Sequence, residues 1–377
     1  MNQTSKRYGD LCRRRQNFLE RAWDASELTI PFILPRHRTQ DHDMPTPYQA
    51  IGARGVNNLS AKLLLTLFPP NSPFFKFQID DFTLAELEAQ RAPVEEGLNA
   101  MERSVMDEVE SKAMRVPLNE ALRHLIITGN ACLHIDKDNA VRVFHLDQYV
   151  VRRDPQGKML EIIVHEKMSR ELYMDIFGKL PPKESGDADK ADEKELNLYT
   201  IVRRKDNKIH VHQEVNDMKI PNTDSNYPLD KNPWLALRFS SIDGEDYGRG
   251  FVEEYLGDLR ALEGLSKAIL EGSCAAARAI FLVRPNGTTK LKTISQAPNL
   301  AVRQGAAEDV SVLQMEKFND FRVARETLET TERRLAAAFL LNQSVQRDAE
   351  RVTAEEIRFL ANELETSLGG IYSLLSH

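Results

Sequence analysis

The 377-residue chain is poor in cysteine and has no long apolar run. Its three cysteines, Cys12, Cys132 and Cys274, are odd in number and far apart, which excludes a disulfide framework and fits a reducing compartment. A bilayer-spanning helix needs roughly 20 apolar residues. No run here approaches that: Leu63 to Phe68, with Thr66 inside it, is six residues long, and Leu335 to Leu341 is seven. Met1 to Arg15 is polar and basic with no apolar segment behind it, so it does not read as a secretory signal. A basic excess is missing too: 57 acidic against 50 basic side chains leave a formal charge of −7. That balance argues against tight, salt-driven wrapping of phosphate backbones. It still allows a protein that lets nucleic acid pass without gripping it.

The usual catalytic signatures are absent together. There is no G-x-x-x-x-G-K-S/T phosphate loop, no G-x-S-x-G elbow and no H-E-x-x-H helix, and the acidic residues are spread along helices rather than gathered at one place. The sequence therefore predicts no enzymatic activity, no cofactor and no metal. Cys132-x-His134 and His210-x-His212 each put two possible ligands on one strand face. A metal site needs three or four ligands with support behind them, so packing is the reading for both. Gly52-Ala53-Arg54-Gly55 has the spacing of a backbone clamp on nucleic acid. It sits inside a helical pattern, which favours close packing or a bend.

What is present is ordinary soluble-protein material, 41% hydrophobic and 28% charged, with length for two or three domains at roughly 150 residues each. The first third reads as helices. Tyr8 to Ala25 carries Leu11, Phe18, Leu19 and Ala22 on one face, with Arg13, Arg14 and Arg15 solvated opposite. Tyr48 to Leu67, Glu95 to Ser111 and Pro117 to Thr128 follow, and Phe74 to Ile79 alternates like a short strand. From Gly129 the period changes. Strands are expected at Cys132–Ile135, Val141–His145, Tyr149–Arg152 and Met159–Glu166, then a charged linker over Leu180–Lys194. A hairpin around Asp206-Asn207 and a strand at Trp234–Phe239 complete an antiparallel-rich α+β middle.

The last third is helical again. Gly250 to Ala279 shows no internal stop, and within it Gly257, Ala261, Gly264, Ala268, Gly272 and Ala275 recur at steps of three or four. Each interior glycine costs about 1 kcal/mol against alanine, so close approach of another backbone is needed to offset it. Tyr255, Leu259, Leu262, Leu265, Ile269 and Leu270 cover much of the other surface. A helix with both stripes is packed on two sides, by its own domain or by identical neighbours in a ring. Phe281 to Val312 breaks into short strands. Asp320 to Leu341 is a highly charged helix with a narrow seam of Phe321, Leu328, Leu335 and Phe339. After a polar stretch, Thr353 starts the last helix with Glu356 in capping-box position. The apolar, uncapped end after Gly369-Gly370 predicts that the natural chain continues past His377.

Three segments carry a resemblance to a known family. They are Thr46-Pro47-Tyr48-Gln49-Ala50-Ile51-Gly52-Ala53-Arg54-Gly55-Val56-Asn57-Asn58-Leu59, then Gly244-Glu245-Asp246-Tyr247-Gly248-Arg249-Gly250 running on to Arg260, and Val345-Gln346-Arg347-Asp348-Ala349-Glu350-Arg351-Val352-Thr353 running on to Arg358. Together, in this order, the sequence resembles the portal, or head-to-tail connector, proteins of T7-like short-tailed bacteriophages.

The resemblance implies a portal fold: an α+β wing over residues 1–245, a first stem helix over 246–280 and a small β-containing clip over 281–317. A second stem helix over 318–341, a tunnel loop over 342–352 and a long wing helix over 353–377 follow, with the family's crown absent. It implies a dodecameric ring at one capsid vertex that conducts double-stranded viral DNA in packaging and ejection. It also implies assembly in the host cytoplasm, a place in the virion, and contacts with terminase, tail adaptor, major capsid and scaffolding proteins. The packaging ATPase would be another protein. On this reading Gln343, Gln346, Arg347 and Arg351 are the DNA-contact candidates, and the Gly/Ala stripe is the subunit contact. Other readings stay open at this point: a tail adaptor ring protein of the same virion, or a soluble nucleic-acid-processing enzyme. Arg347 and Arg351 could equally neutralise Asp348, Glu350 or Glu355.

Overall fold

The computed structural model describes residues 3–36, 44–70, 73–79, 91–178, 195–276, 280–285, 289, 292, 302, 304, 306–313, 318–341 and 354–368. The fold is α+β and divides into two compact units, one of Met1–Gly257 with Leu335–His377 and one of Asp258–Arg334.

In the first unit, helix α1 (Gln3–Glu27) is the expected amphipathic helix, five residues longer at its start. Leu11, Leu19, Ala22 and Ala25 are buried on its apolar side. Arg13 and Arg14 are exposed as expected, but Arg15 is buried. Its guanidinium donates to the carbonyls of Leu146 and Tyr149 at 2.8 and 2.6 Å, which is how a buried cation is tolerated. Helices α2 (Ile51–Leu67), α3 (Arg91–Ser111) and α4 (Arg115–Thr128) follow. The strand expected at Phe74–Ile79 is not formed. The rings of Phe68, Phe74, Phe75 and Phe77 instead meet edge-on in succession, at 5.1, 5.1 and 5.2 Å between centroids.

Two antiparallel sheets occupy the middle. β1 (Asn130–Ile135) lies between β2 (Val141–Phe144) and β9 (Trp234–Arg238). The larger sheet runs β3 (Tyr149–Arg153), β4 (Met159–Ser169), β5 (Glu195–Lys205), β6 (Lys208–Val215), β7 (Met218–Lys219), with β8 (Ser225–Pro228) also on β6. Helix α5 (Arg170–Phe177) follows β4, capped by the Ser169 hydroxyl on Leu172 N. The β5–β6 turn is the expected Asp206-Asn207, both residues left-handed at φ 50° and 59°, as a two-residue hairpin of this twist requires. The linker expected at Leu180–Lys194 lies outside the described residues.

Both faces of the large sheet are covered, so Ile162, Ile163 and Val164 of β4 are all buried. One face joins Leu19, Ala22, Tyr149, Ile162, Val164, Val202 and Tyr247 in a core; the other packs Leu11 against Val150, Ile163, Tyr199 and Ile201. α1 thus serves one face with its first half and the other with its second. Glu161 is the exception within this strand, a carboxylate at 2% exposure. Arg203 Nη2 and Arg7 Nη2 reach its two oxygens at 2.5 and 3.0 Å.

In the first unit, α6 (Phe251–Glu254) ends at Tyr255, and α7 (Leu256–Ala276) restarts beyond it. The expectation of an unbroken helix from Gly250 is corrected here. The rings of Phe251 and Tyr255 meet at a tilt, 5.1 Å between centroids, and the Tyr255 N–H turns back to Glu253 and Val252 carbonyls in a tighter turn. The second unit holds most of α7, the hairpin β10 (Ile280–Val283) with β11 (Val310–Leu313), and most of α8 (Phe318–Ala338). Buried Asp309 ties that hairpin's loop by accepting from Thr289 N at 3.0 Å. The last helix, α9 (Ala354–Leu368), returns to the first unit with Leu364 and Leu368 buried.

Candidate conduit and subunit-contact residues

The small residues of α7 lie along an open face. Gly257, Ala261, Gly264, Ala268 and Ala275 are exposed and Gly272 half-buried, while Leu259 and Leu262 on the other side are fully buried. A methyl group added at Gly257 or Gly264 would meet nothing within 4 Å. Close packing inside the chain therefore does not offset the helical cost of these two glycines. α8 presents charge of both signs to solvent: Arg322, Arg325, Glu326, Glu332, Arg333 and Arg334 are exposed. Arg325 pairs with Glu329 one turn on, and Arg334 with Asp258.

The start of α7 is fixed by a close backbone crossing. Segment 244–250 runs against the junction of α4 and β1, where Gly129 closes α4 in the left-handed conformation at φ 74°. A side chain at Gly129 would collide with the backbone of Arg249 and Gly250, and one at Gly250 with the Ile127 carbonyl. One at Gly248 would lie 2.6 Å from the Gly129 carbonyl. Only glycines let the two strands of chain come this near. The Asn130 amide completes the crossing, accepting from Gly248 N at 2.7 Å and donating to Gly248 O at 2.9 Å. Beside it, Asp246 accepts from Arg153 N, and Arg153 donates to the carbonyls of Asp246, Gly157 and Ala236. The Tyr247 hydroxyl, fully buried, accepts from Val151 N. Arg249 joins Glu245 and Glu253, and Glu253 also meets Arg21 of α1.

Segment 46–59 is a second staple. Gln49 donates to Leu28 O at 2.7 Å and accepts from Gly52 N at 2.9 Å. A side chain at Gly52 would lie 2.5 Å from Leu28 O, and one at Gly55 2.5 Å from the Phe339 ring. The G-x-x-G spacing is thus close packing, as its helical setting implied. Phe339 is fully buried there and meets Phe251 edge-on at 5.6 Å. Gln343, Gln346, Arg347 and Arg351 lie outside the described residues, as does most of the third segment.

The family model of the bacteriophage head to tail connecting protein matches residues 1–377, the full sequence. The chain belongs to that family. The portal protein of Enterobacteria phage T3 is 40% identical over 98% of this chain and 70% of its own length. That of Escherichia phage T7 is 38% identical over the same shares, and that of Enterobacteria phage SP6 28% identical over 97% and 71%. A solved neck of a native GTA particle, computed with C12 symmetry, aligns over 69% of this chain and 67% of its own. It does so at 13% identity and a TM-score of 0.34, too slight a likeness to carry weight. The resemblance read from the three segments to T7-like connectors therefore holds, and with it the α+β portal fold.

In this connector chain Cys132, His134 and His212 each have other contacts, whereas His210 Nε2 is buried without a hydrogen-bond partner among the described residues. Cys132 is fully buried in the core, where burial pushes its thiol up to about 12. The His134 ring stacks on Trp234 at 4.0 Å, and burial holds its imidazole below the ordinary value. His212 meets Glu214 at 3.0 Å. Sequence reasoning missed Arg15 and Glu161, because their partners are carbonyls and guanidiniums far away in the chain. A charge on the apolar side of an amphipathic pattern was the one available signal.

Proposed function

We propose that this chain is one protomer of a ring, dodecameric as the resemblance implies, set at a single capsid vertex and conducting double-stranded viral DNA. The observation that carries the reading is the open small-residue face of α7, whose glycine cost nothing among the described residues offsets at positions 257 and 264, in a chain matched by a connector family over residues 1–377. Close approach of an identical neighbour would supply the missing contact and, repeated around an axis, close a ring. The stem would be α7 and α8, the clip the β10–β11 hairpin between them, and the wing the rest of the first unit.

The acidic balance and the mixed charges of α8 suit a conduit. Each phosphate firmly gripped would release counterions and strengthen binding, and sliding DNA cannot tolerate that at every step. Contacts would be few, with Arg347 and Arg351 the cations and Gln343 and Gln346 neutral donors. The role is structural rather than catalytic. Terminase would dock on the clip during packaging and tail adaptors afterwards, and capsid and scaffolding proteins would meet the wing. In this reading the protein is a virion component, assembled in the host cytoplasm.

Imaging the purified full-length protein along its symmetry axis tests this reading. A closed ring with an axial hole is expected; a monomer, or a monomer with nuclease activity, would overturn it. Replacing Arg347 with Gln is expected to alter DNA retention in rings that still assemble.

A further inference from the structure

Helix α3 runs for 21 residues, and no other described element packs along it. Val94, Leu98, Met101 and Val105 recur at steps of four, three and four, the spacing of a seam that meets another helix. Met101 is 61% and Val105 41% exposed. Carboxylates outnumber guanidiniums on this helix by six to two, and Glu102 lies beside the seam, between Leu98 and Val105. Glu102 makes no hydrogen bond or ion pair among the described residues.

α4 carries the complement. Arg115, Asn119 and Arg123 follow one another at steps of four on one side, and Val116 beside them is 72% exposed. The three polar side chains are half-buried, yet Arg115 Nη1, Asn119 Oδ1 and Arg123 Nε have no hydrogen-bond partner among the described residues. Polar groups in that position are costly until something pairs them. Burial lowers the Arg115 guanidinium from its ordinary value, and the charge of Glu110 pulls the other way. Arg123 has no carboxylate partner among the described residues. A guanidinium has five N–H donors on a long stem, so it can turn outward to a carboxylate brought to this side. Because Met101, Val105 and Val116 are all exposed, α3 and α4 of one chain do not cover each other.

We propose that these two faces meet between copies: the seam of α3 in one chain docks on the Arg115–Asn119–Arg123 side of α4 in the next. Met101 and Val105 would lie over Val116, with Glu102 against Arg123. The occupant is a second copy because the two faces, both on this chain, match in charge and in apolar character. Two different patches meet, so the contact is heterologous, the kind that repeats around an axis. It rests on the ring reading above and adds an interface within the first unit.

The test uses Glu102→Arg and Arg123→Glu in the full-length protein, each alone and the two mixed one to one. Native mass is measured over a range of concentrations, with circular dichroism to follow folding. Each variant alone sets like charges together and is expected to raise the concentration needed for assembly about tenfold. The mixture is expected to assemble like the parent, since every contact in an alternating ring of even copy number then pairs opposite charges. Mixing could not relieve a repulsion within one chain. Met101→Ser, at an exposed position, should leave the protomer folded and weaken assembly in the same direction.

Single variants that assemble like the parent, or that stay apart when mixed, would overturn the proposal and leave the ring reading intact. Arg123→Glu rings of normal mass that no longer retain a DNA duplex on a filter would also overturn it, giving this face to a phosphate backbone. A parent that stays monomeric at every concentration would overturn both readings. A parent that forms open chains, weakened by each variant and restored by mixing, would keep this contact without the ring.

Discussion

Glycines at the base of α7 and glycines along it do opposite things. At the crossing, Gly129, Gly248 and Gly250 are each pressed against backbone so closely that a methyl group could not be accommodated. Along the helix, Gly257 and Gly264 face open space. The first set is explained wholly within one chain, by the approach of segment 244–250 to the α4–β1 junction. The second is unexplained within one chain. The chain is closely packed just before α7, while the small-residue side of that helix is exposed. On the reading proposed above, the occupant of that side is another copy of the chain.

That contrast can be broken from the packed side first. Phe339→Ala, removing a fully buried ring seated on Gly55, is expected to cost about 3–5 kcal/mol, read as a fall in the denaturation midpoint of the protein. Gly250→Ala is expected to cost about 3 kcal/mol, because its methyl would overlap the Ile127 carbonyl and the crossing would have to open. Unchanged stability in either variant would mean that the root of α7 is looser than described.

Glu161 sharpens the same side with pH as the variable. Burial by itself would raise its carboxyl; the hydrogen bonds and charges of Arg203 and Arg7 outweigh that and hold it below the ordinary value of 4.5. The folded state therefore favours the ionised form. Its contribution is fully present above about pH 4.5 and is lost as pH falls through the depressed value. Glu161→Gln is expected to cost about 2 kcal/mol near neutrality and to flatten this acid limb of the stability curve. An acid limb identical to the parent's would show that the ion pair is not formed.

The open side should answer differently. Gly264→Ala is expected to stabilise the helix by up to about 1 kcal/mol, since nothing lies within 4 Å of the new methyl. Gly264→Leu should leave the protomer folded with unchanged circular dichroism and yet block assembly, because the bulk sits where a neighbouring backbone would come. A Leu variant that assembles normally would remove α7's small face from the interface.

Much of the body was legible because its signals are local. Asp206-Asn207 announced its turn, and the strands of the middle region fell close to their expected bounds. Long-range pairing was less legible. β9 was expected as a strand with no partner assigned; it pairs with β1, a choice set by tertiary packing. The failed strand at 74–79 had the right alternation but, among the described residues, no strand beside it. Arg15 looked solvated because its acceptors, Leu146 and Tyr149, lie over 100 residues away. The break at Tyr255 comes from an aromatic cluster of Phe251, Tyr255 and Phe339, which spacing within one segment cannot reveal. The stripe on α7 was plain in the sequence. On the proposed reading what covers it belongs to a second chain, which a single sequence does not contain.

Native mass measurement of the full-length protein beside its Gly264→Leu variant tests the claim most directly. The account predicts a closed ring of many copies, twelve by family resemblance, for the parent, and a folded species of far lower mass for the variant. A parent that stays monomeric, or a variant that forms the same ring, would contradict it.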